Sequence, residues 1–277
     1  MKTSALPVKP LFRRSGSATS PIQRERDPRG VVMLRLNRPQ AFNALSEGLI
    51  TQLQRQLESV AEDPLARVVV LAAAGKAFCA GHDLKEMRAA PSLDYYRRLF
   101  ARCSEMMLCM QRLPVPVIAR VQGIATAAGC QLVAMCDLAV ASSDAKFAVS
   151  GVNLGLFCSA PGVALSRNLP RKAAFEMLVT GEFISASEAK ARGLVNRVVE
   201  PAELDAEVER LVATILSKPR AAVALGKKLF YKQAELPIAA AYEAASEAMA
   251  RNMMLEEALE GVQAFIDKRP PNWNQKR

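Results

Sequence analysis

Two short segments, each mixing glycines with small residues, have the residue types and spacing to do chemistry. Residues 75–87 read GKAFCAGHDLKEM and contain the one histidine of the sequence, His82, while residues 123–131 read GIATAAGCQ. Each follows an apolar run of strand character and leads through small residues into a helical pattern. At such a strand-to-helix turn the leading backbone N–H groups lack partners and point outward, where they can hold negative charge developing on a bound oxygen. Two turns of this kind side by side would offer one N–H each. Neither segment fits G-x-G-x-x-G or the Walker pattern, so dinucleotide and nucleoside-triphosphate chemistry lack their usual signature.

The rest of the composition narrows the options. A single histidine excludes a metal site built on two or more, and it leaves a Ser-His-Asp or Cys-His nucleophile system with His82 alone. The six cysteines form no C-x-x-C pair and lie among apolar or small residues. They read as buried free thiols, not as a disulfide framework or a metal site. No metal and no separate cofactor are expected. Apolar stretches are interrupted by Arg, Asp or Gly before they reach the length of a membrane span.

The elements that must position the two segments follow from periodicity. Val31–Leu36 reads as a strand closed by Asn37-Arg38-Pro39. Leu49, Leu53, Leu57 and Val60 recur at helical spacing after Ser46. Val68-Val69-Val70-Leu71 is an apolar run suited to a strand buried on both faces. A helix over 94–111, a strand over 115–120, a helix over 128–135 and a strand over 138–141 continue the alternation, which predicts an α/β core with crossover connections. From Pro201 the pattern is helical only, over 202–217, 219–234, 238–252 and 255–267. The expected organisation is a tail over 1–29, an α/β core over 30–200 and a helical region over 201–277.

On these residues the chain resembles the crotonase, or enoyl-CoA hydratase/isomerase, superfamily. The first segment is similar to that family's A-F-C-A-G-x-D and the second to its N-G-x-A-x-G-G-G. Further likeness runs through Leu36-Asn37-Arg38-Pro39, Asn43-Ala44-Leu45, Cys136-Asp137, Thr180-Gly181, Gly193-Leu194-Val195, Glu260-Gly261, Lys268-Arg269-Pro270 and Trp273. The resemblance implies a ββα spiral core with a C-terminal helical trimerisation region. It also implies an acyl-CoA or enoyl-CoA substrate, coenzyme A entering as part of that substrate. The thioester oxygen would sit between the backbone N–H groups of His82 and Ala128. Asn43, Ala44, Leu45, Ala80, Asp83, Leu84 and Lys85 would line the substrate channel, and Phe265 and Lys268 would reach a neighbouring subunit's ligand in a homotrimer or a dimer of trimers.

The departures from the family pattern fall at its acids. A hydratase of this family uses two carboxylates, and their positions here hold Gln131 and Gly151. Neither group transfers a proton, and each lost acid or base removes about 10²–10⁴-fold. Efficient hydration is therefore not expected. Gln131 either fills the old acid's volume or hydrogen-bonds the substrate or a water. Asp83 is placed to cap a short helix and Asp137 to serve structure. For His82, the backbone N–H is the working part and the ring is secondary. Ala127 and Ala128 replace family glycines, so each adds a methyl and restricts φ.

The Asn153-Leu154-Gly155 turn together with Gly81-His82-Asp83 also resembles an acyl-CoA decarboxylase branch, although Phe157 and Cys158 stand where that branch has a tyrosine. Residues 126–134 and 151–159 resemble one group within the family, so the glutamine and glycine belong to a type.

The formal charge is +10, and residues 1–30 supply half of it with seven basic and two acidic residues. This Ser-, Pro- and Arg-rich stretch reads as a disordered tail of a cytoplasmic protein; a mitochondrial matrix leader is the alternative, against which Pro7, Pro10 and Pro21 count. Lys218, Arg220, Lys227, Lys228 and Lys232 read first as a solvated helix face. Attraction for CoA phosphates comes next, and RNA binding last. A non-catalytic CoA-ester binder is the remaining class. No membrane partner is expected.

Overall fold

The structure, a computed structural model, describes residues 20–273. Strands β1 (Ile22–Arg26) and β2 (Val31–Leu36) form a hairpin, and helix α1 (Glu47–Ala61) follows. Three units then repeat one plan, each laying a strand in one sheet, a shorter strand in another, and then helix. The first comprises β3 (Val68–Ala73), β4 (Ala77–Cys79), α2 (Leu84–Ala89) and α3 (Leu93–Arg112). The second is β5 (Val117–Val121), β6 (Ile124–Thr126) and α4 (Ala128–Met135). The third has β7 (Leu138–Ser142), β8 (Lys146–Ala148), α5 (Ser159–Asn168) and α6 (Arg171–Thr180). Strand β9 (Ile184–Ser185), helix α7 (Ala186–Ala191) and strand β10 (Arg197–Val199) close the core. Helices α8 (Leu204–Leu216), α9 (Arg220–Gln233), α10 (Ile238–Met253) and α11 (Glu256–Ile266) complete the described chain.

The larger sheet has the order β1-β2-β3-β5-β7-β10 and the smaller β4-β6-β8-β9. Apart from the antiparallel outer pairs β1/β2 and β8/β9, neighbours run parallel, as the crossover helices require. Each turn of chain thus winds from the first sheet through the second and out into helix, a ββα spiral.

All six residues of β3 are buried because the strand separates two cores. Val69, Leu71 and Ala73 face the larger one, with Leu49, Leu53 and Leu57 of α1. Val68, Val70 and Ala72 face a second, beneath Leu204, Val208, Leu211 and Val212 of α8. The apolar run is continuous for that reason, and the first helix of the all-helical portion is part of the core's packing.

The tail expected through residue 29 is corrected in part. Ile22–Arg26 pair in register with β2, from Ile22↔Leu36 to Arg26↔Val32. Only Ile22 of this edge strand is buried, so composition alone resembles a tail. Its basic residues are drawn onto α1 and its end: the Arg24 guanidinium donates to Gln56 Oε1 at 3.2 Å and Ser59 Oγ at 2.9 Å, and Arg26 pairs with Asp63 at 3.0 Å. The rest of the expected tail, residues 1–19, lies outside the described residues.

The solvated basic face is also corrected. Lys227 is 8% exposed, and its ammonium donates to Met110 O at 2.9 Å, Val115 O at 3.0 Å and Asp137 Oδ2 at 2.7 Å. Asp137 also accepts from Val117 N at 2.6 Å and from the Tyr231 hydroxyl at 2.7 Å. Burial pushes the Lys227 ammonium down, opposed by Asp137. Arg220 turns inward too, its Nε donating to Ala66 O at 3.1 Å. Lys218, Lys228 and Lys232 are exposed, so two of the five basic residues in this stretch fasten α9 to the core. No helix among the described residues is long and apolar enough to cross a membrane.

Candidate active site

The two glycine-containing loops meet. In the first, Gly81 takes φ +92° after β4, and Leu45 forms a parallel bridge to His82. Leu45 N donates to Gly81 O at 2.7 Å and Asp83 N to Leu45 O at 3.1 Å. In a parallel bridge those bonds use the residues flanking His82, so the His82 N–H points to the other side, without a backbone partner. In the second loop Ala127 N donates to Ala148 O at 3.0 Å, and Ala128 begins α4. The Ala128 N–H is one of the leading donors that a helix cannot satisfy itself.

Glycines set how close the loops come. A Cβ at Gly129 would lie 2.1 Å from Cys79 O, so the start of α4 presses on the end of β4. A Cβ at Gly81 would lie 2.9 Å from the Ala127 methyl and 3.4 Å from Ala128 N. The residue before His82 thus lies one side-chain carbon away from contact with the Ala128 N–H.

Ala127 itself has φ 50°, ψ −123°, a conformation suited to glycine. Backbone strain of this kind costs about 1–3 kcal/mol, partly offset because alanine restricts the unfolded chain. Ala127→Gly is therefore expected to stabilise the fold by about 1 kcal/mol, read from the midpoint of urea denaturation; a loss of stability would show that the methyl's packing outweighs its strain.

The two positions of the missing carboxylates differ in kind. Gln131 lies in the first turn of α4, its N–H donating to Ala127 O at 3.1 Å. The residue is 5% exposed, and its amide makes no hydrogen bond among the described residues, unlike buried Asn43, Ser46, Ser142 and Lys227. Among the described residues, the buried side-chain N and O atoms without a partner are His82 Nδ1 and Gln122 Oε1; the Gln131 amide, absent from that pair, keeps contact with accessible space. Gly151 has no room at all. In the 3-10 turn Ser150–Leu154, a Cβ there would lie 2.4 Å from Leu156 O and 2.7 Å from Cys158 Sγ. The turn is tied to the second loop through Ser150 Oγ and Thr126 Oγ1, 2.9 Å apart.

The acids near the loops have structural partners. Asp83 caps α2, accepting from Lys85 N at 3.2 Å, and pairs with Arg38 at 3.0 Å. Partial burial opposes its ionisation, but the Arg38 guanidinium and the Glu86 and Lys85 N–H groups outweigh this and hold the carboxyl below its usual range. Asp137 is held in the Lys227 network. The His82 ring meets Phe100 edge-on at 5.4 Å, and burial pushes its imidazole toward the neutral form.

Of the residues expected to line a substrate channel, 43–45 and 80–85 are brought together. Arg38 spans them, donating to Ala44 O at 2.7 Å and Asp83 at 3.0 Å. Asn43 is fully buried, however, and its side chain is spent on Arg38 N, Ala74 O and Ala77 O at 2.8, 2.8 and 2.9 Å. It braces the β3–β4 turn, with both amide hydrogens committed to backbone carbonyls. Leu45 is buried, Ala44 and Ala80 half-buried, and Leu84 and Lys85 exposed. Phe265 is 84% exposed and Lys268, at φ 53°, is exposed beyond α11. A cavity of about 440 Å³ between α9, α10 and α11, lined by Ala222, Met253, Val262 and Trp273 among others, is apolar and lacks the two N–H groups. The site is therefore assigned to the loops. Sequence reasoning missed the placement of Cys158 against position 151, which no local pattern signals.

Known proteins share this fold. A family model described as enoyl-CoA hydratase/isomerase matches residues 26–276. Enoyl-CoA hydratase domain-containing protein 3, mitochondrial, of Mus musculus is 46% identical over 97% of this chain and 92% of its own. The crystal structure of the human protein of that name is 46% identical, with a TM-score of 0.88 over 92% of this chain and 100% of the other. An enoyl-CoA hydratase structure from Mycobacterium smegmatis is 66% identical, with a TM-score of 0.92 over the same shares. The mouse relative is named mitochondrial, so the cytoplasmic expectation finds no support in that name. With this fold, these two loops and these relatives, the chain belongs to the enoyl-CoA hydratase/isomerase family, the crotonase superfamily, in the group of enoyl-CoA hydratase domain-containing protein 3.

Proposed function

We propose that the protein binds an acyl-CoA thioester with its carbonyl oxygen between the N–H groups of His82 and Ala128, and stabilises the enolate that forms when charge moves onto that oxygen. The observation that carries this reading is the pair of unpaired N–H groups on touching loops. A donor of this kind contributes about 3–4 kcal/mol to a transition state carrying an oxyanion. The charge needs no metal, since the neighbouring helix start already presents the positive end of a dipole.

Gln131 and Gly151 remove the proton-transferring groups of a hydratase, so the reading is of a thioester enzyme of fatty-acid type that hydrates poorly. Calorimetric titration with CoA, butyryl-CoA and crotonyl-CoA tests it. Saturable binding of the thioesters is expected, and its absence would sink the reading. Decarboxylation is the second reading, favoured because losing CO₂ leaves an enolate without a base and so needs the N–H pair more than the missing acids. Release of CO₂ from malonyl-type CoA esters would establish it.

For assembly, the exposure of Phe265 and Lys268 supports a homotrimer or a dimer of trimers, in which they would reach a neighbour's ligand. For compartment, the mouse relative's name supports the mitochondrial matrix. The inward turn of Lys227 and Arg220 reduces the basic surface on which RNA binding would depend.

A further inference from the structure

Gln131 puts an unengaged amide beside the N–H donors of the two loops. The residue is 5% exposed and its amide makes no hydrogen bond among the described residues, whereas fully buried Asn43 uses its side chain in three. His82 Nδ1 and Gln122 Oε1 are also without partners among the described residues, but they are sealed from accessible space; the Gln131 amide is open to it. A buried amide left without a bond costs free energy unless a ligand or water meets it.

The helix fixes where that amide lies. Gln131 N donates to Ala127 O at 3.1 Å, so residue 131 closes the first turn of α4 over the alanine whose methyl a Cβ at Gly81 would meet at 2.9 Å. Ala128 and Gln131, three residues apart, share one helix face and are separated by about 4.5 Å along the axis. A long helical side chain leans back toward the N-terminus, over the turn before it, and here that turn carries the Ala128 N–H. The helix cannot roll to take the amide elsewhere, because Cys130 is wholly buried in the core and a Cβ at Gly129 would lie 2.1 Å from Cys79 O. The residues of α4 carry no charge, so the amide is the polar side chain that this face offers.

Resting on the acyl-CoA reading above, we infer that Gln131 selects acyl thioesters with a hydrogen-bond-accepting oxygen on the third acyl carbon: the keto oxygen of a 3-oxoacyl-CoA or a carboxylate oxygen of a malonyl-type ester. With the thioester oxygen at the Ala128 N–H, the third carbon is two C–C bonds from the carbonyl carbon and comes within reach of the amide. An ionised carboxylate at position 131 would offer acceptors only, whereas an amide adds two N–H donors. A glutamate would face a keto or carboxylate oxygen lone pair to lone pair; the glutamine donates to it. An unsubstituted chain places a methylene there instead, which strips water from the amide and returns no bond. A site of this kind disfavours the analogue that lacks the polar group, because its own group is left unpaired.

The test is calorimetric titration of the unmodified protein, Gln131→Met and Gln131→Glu with acetoacetyl-CoA, malonyl-CoA, 3-hydroxybutyryl-CoA and butyryl-CoA. The unmodified protein is expected to bind acetoacetyl-CoA, malonyl-CoA or both about tenfold tighter than butyryl-CoA, the scale of one hydrogen bond gained where a buried group is otherwise left unpaired. The two arms tell which oxygen is taken. Gln131→Met keeps the side chain's length without its amide and should abolish the preference. Gln131→Glu should reverse it, while still accepting from the hydroxyl of 3-hydroxybutyryl-CoA. No preference in the unmodified protein, or a preference that survives Gln131→Met, overturns the selection and leaves the acyl-CoA reading standing. Failure of every thioester to bind overturns the two together.

Discussion

Replacing Lys227 with Met is expected to lower the unfolding free energy by about 3–5 kcal/mol, the usual consequence of leaving one member of a buried ion pair unmatched. The side chains of Lys227 and Asp137 are 6% and 14% exposed, so water does little to compensate either charge. Removing the ammonium leaves the Asp137 carboxylate without its counter-charge and also takes the donor away from Met110 O and Val115 O. The Val117 N–H and Tyr231 hydroxyl remain on the carboxylate and limit the loss. Urea denaturation measures it. Adding Asp137→Asn to Lys227→Met should recover part of the stability, because an amide oxygen still accepts from Val117 N while no charge is left buried. If the double variant is no better than the single one, packing of the lysine's methylene chain matters more than its charge.

Crotonyl-CoA hydration should be slow, and the missing acids should not be equally restorable. Each absent acid–base group accounts for about 10²–10⁴-fold. Gln131→Glu puts a carboxylate on a helix position that already holds a side chain of the same length, and hydration is expected to rise by at most about that factor. Gly151→Glu is a different substitution. Its Cβ would meet Leu156 O at 2.4 Å and Cys158 Sγ at 2.7 Å, so the turn must move before the carboxylate can be placed. The sequence alone suggests that both acids together would restore hydration; the structure predicts that Gly151→Glu adds nothing to Gln131→Glu and lowers stability by about 1–3 kcal/mol or more, as overpacking does. Turnover of tens per second by the unmodified protein would mean that another group supplies the proton transfers. A further gain from Gly151→Glu would mean that the 151–158 turn yields easily.

The parts of the site legible in the sequence were those whose geometry is local. Strand, glycine and helix start follow one another within each loop, so the free N–H groups of His82 and Ala128 can be read from neighbouring residues. Ser46 as a helix cap, with its hydroxyl accepting from Leu49 N at 3.2 Å, and Asp83 as the cap of α2 are local in the same sense. The four C-terminal helices were legible because Pro219 and Pro237 stand immediately before α9 and α10. Short strands were not. The pattern over 77–79, 124–126 and 146–148 is three residues long in each case, too brief for periodicity to act on, and only their pairing with one another defines them.

By itself, the sequence determined the motifs that carry the family resemblance, the α/β alternation of the core, the two N–H-bearing loops and the absence of carboxylates at 131 and 151. Each of these follows from residue identity or from neighbours along the chain. The tertiary structure alone decided that the Asn43 side chain braces a turn, that Lys227 is an internal cation and not a surface one, and that Cys158 Sγ stands against the place of a side chain at 151. In each case the deciding partner is distant in sequence or is brought into contact by a turn: Ala74 and Ala77 for Asn43, Asp137 for Lys227, Gly151 for Cys158. A side chain's chemistry is fixed by its type, but whether that chemistry is spent inside the fold or left for a ligand depends on which groups packing brings within bonding distance.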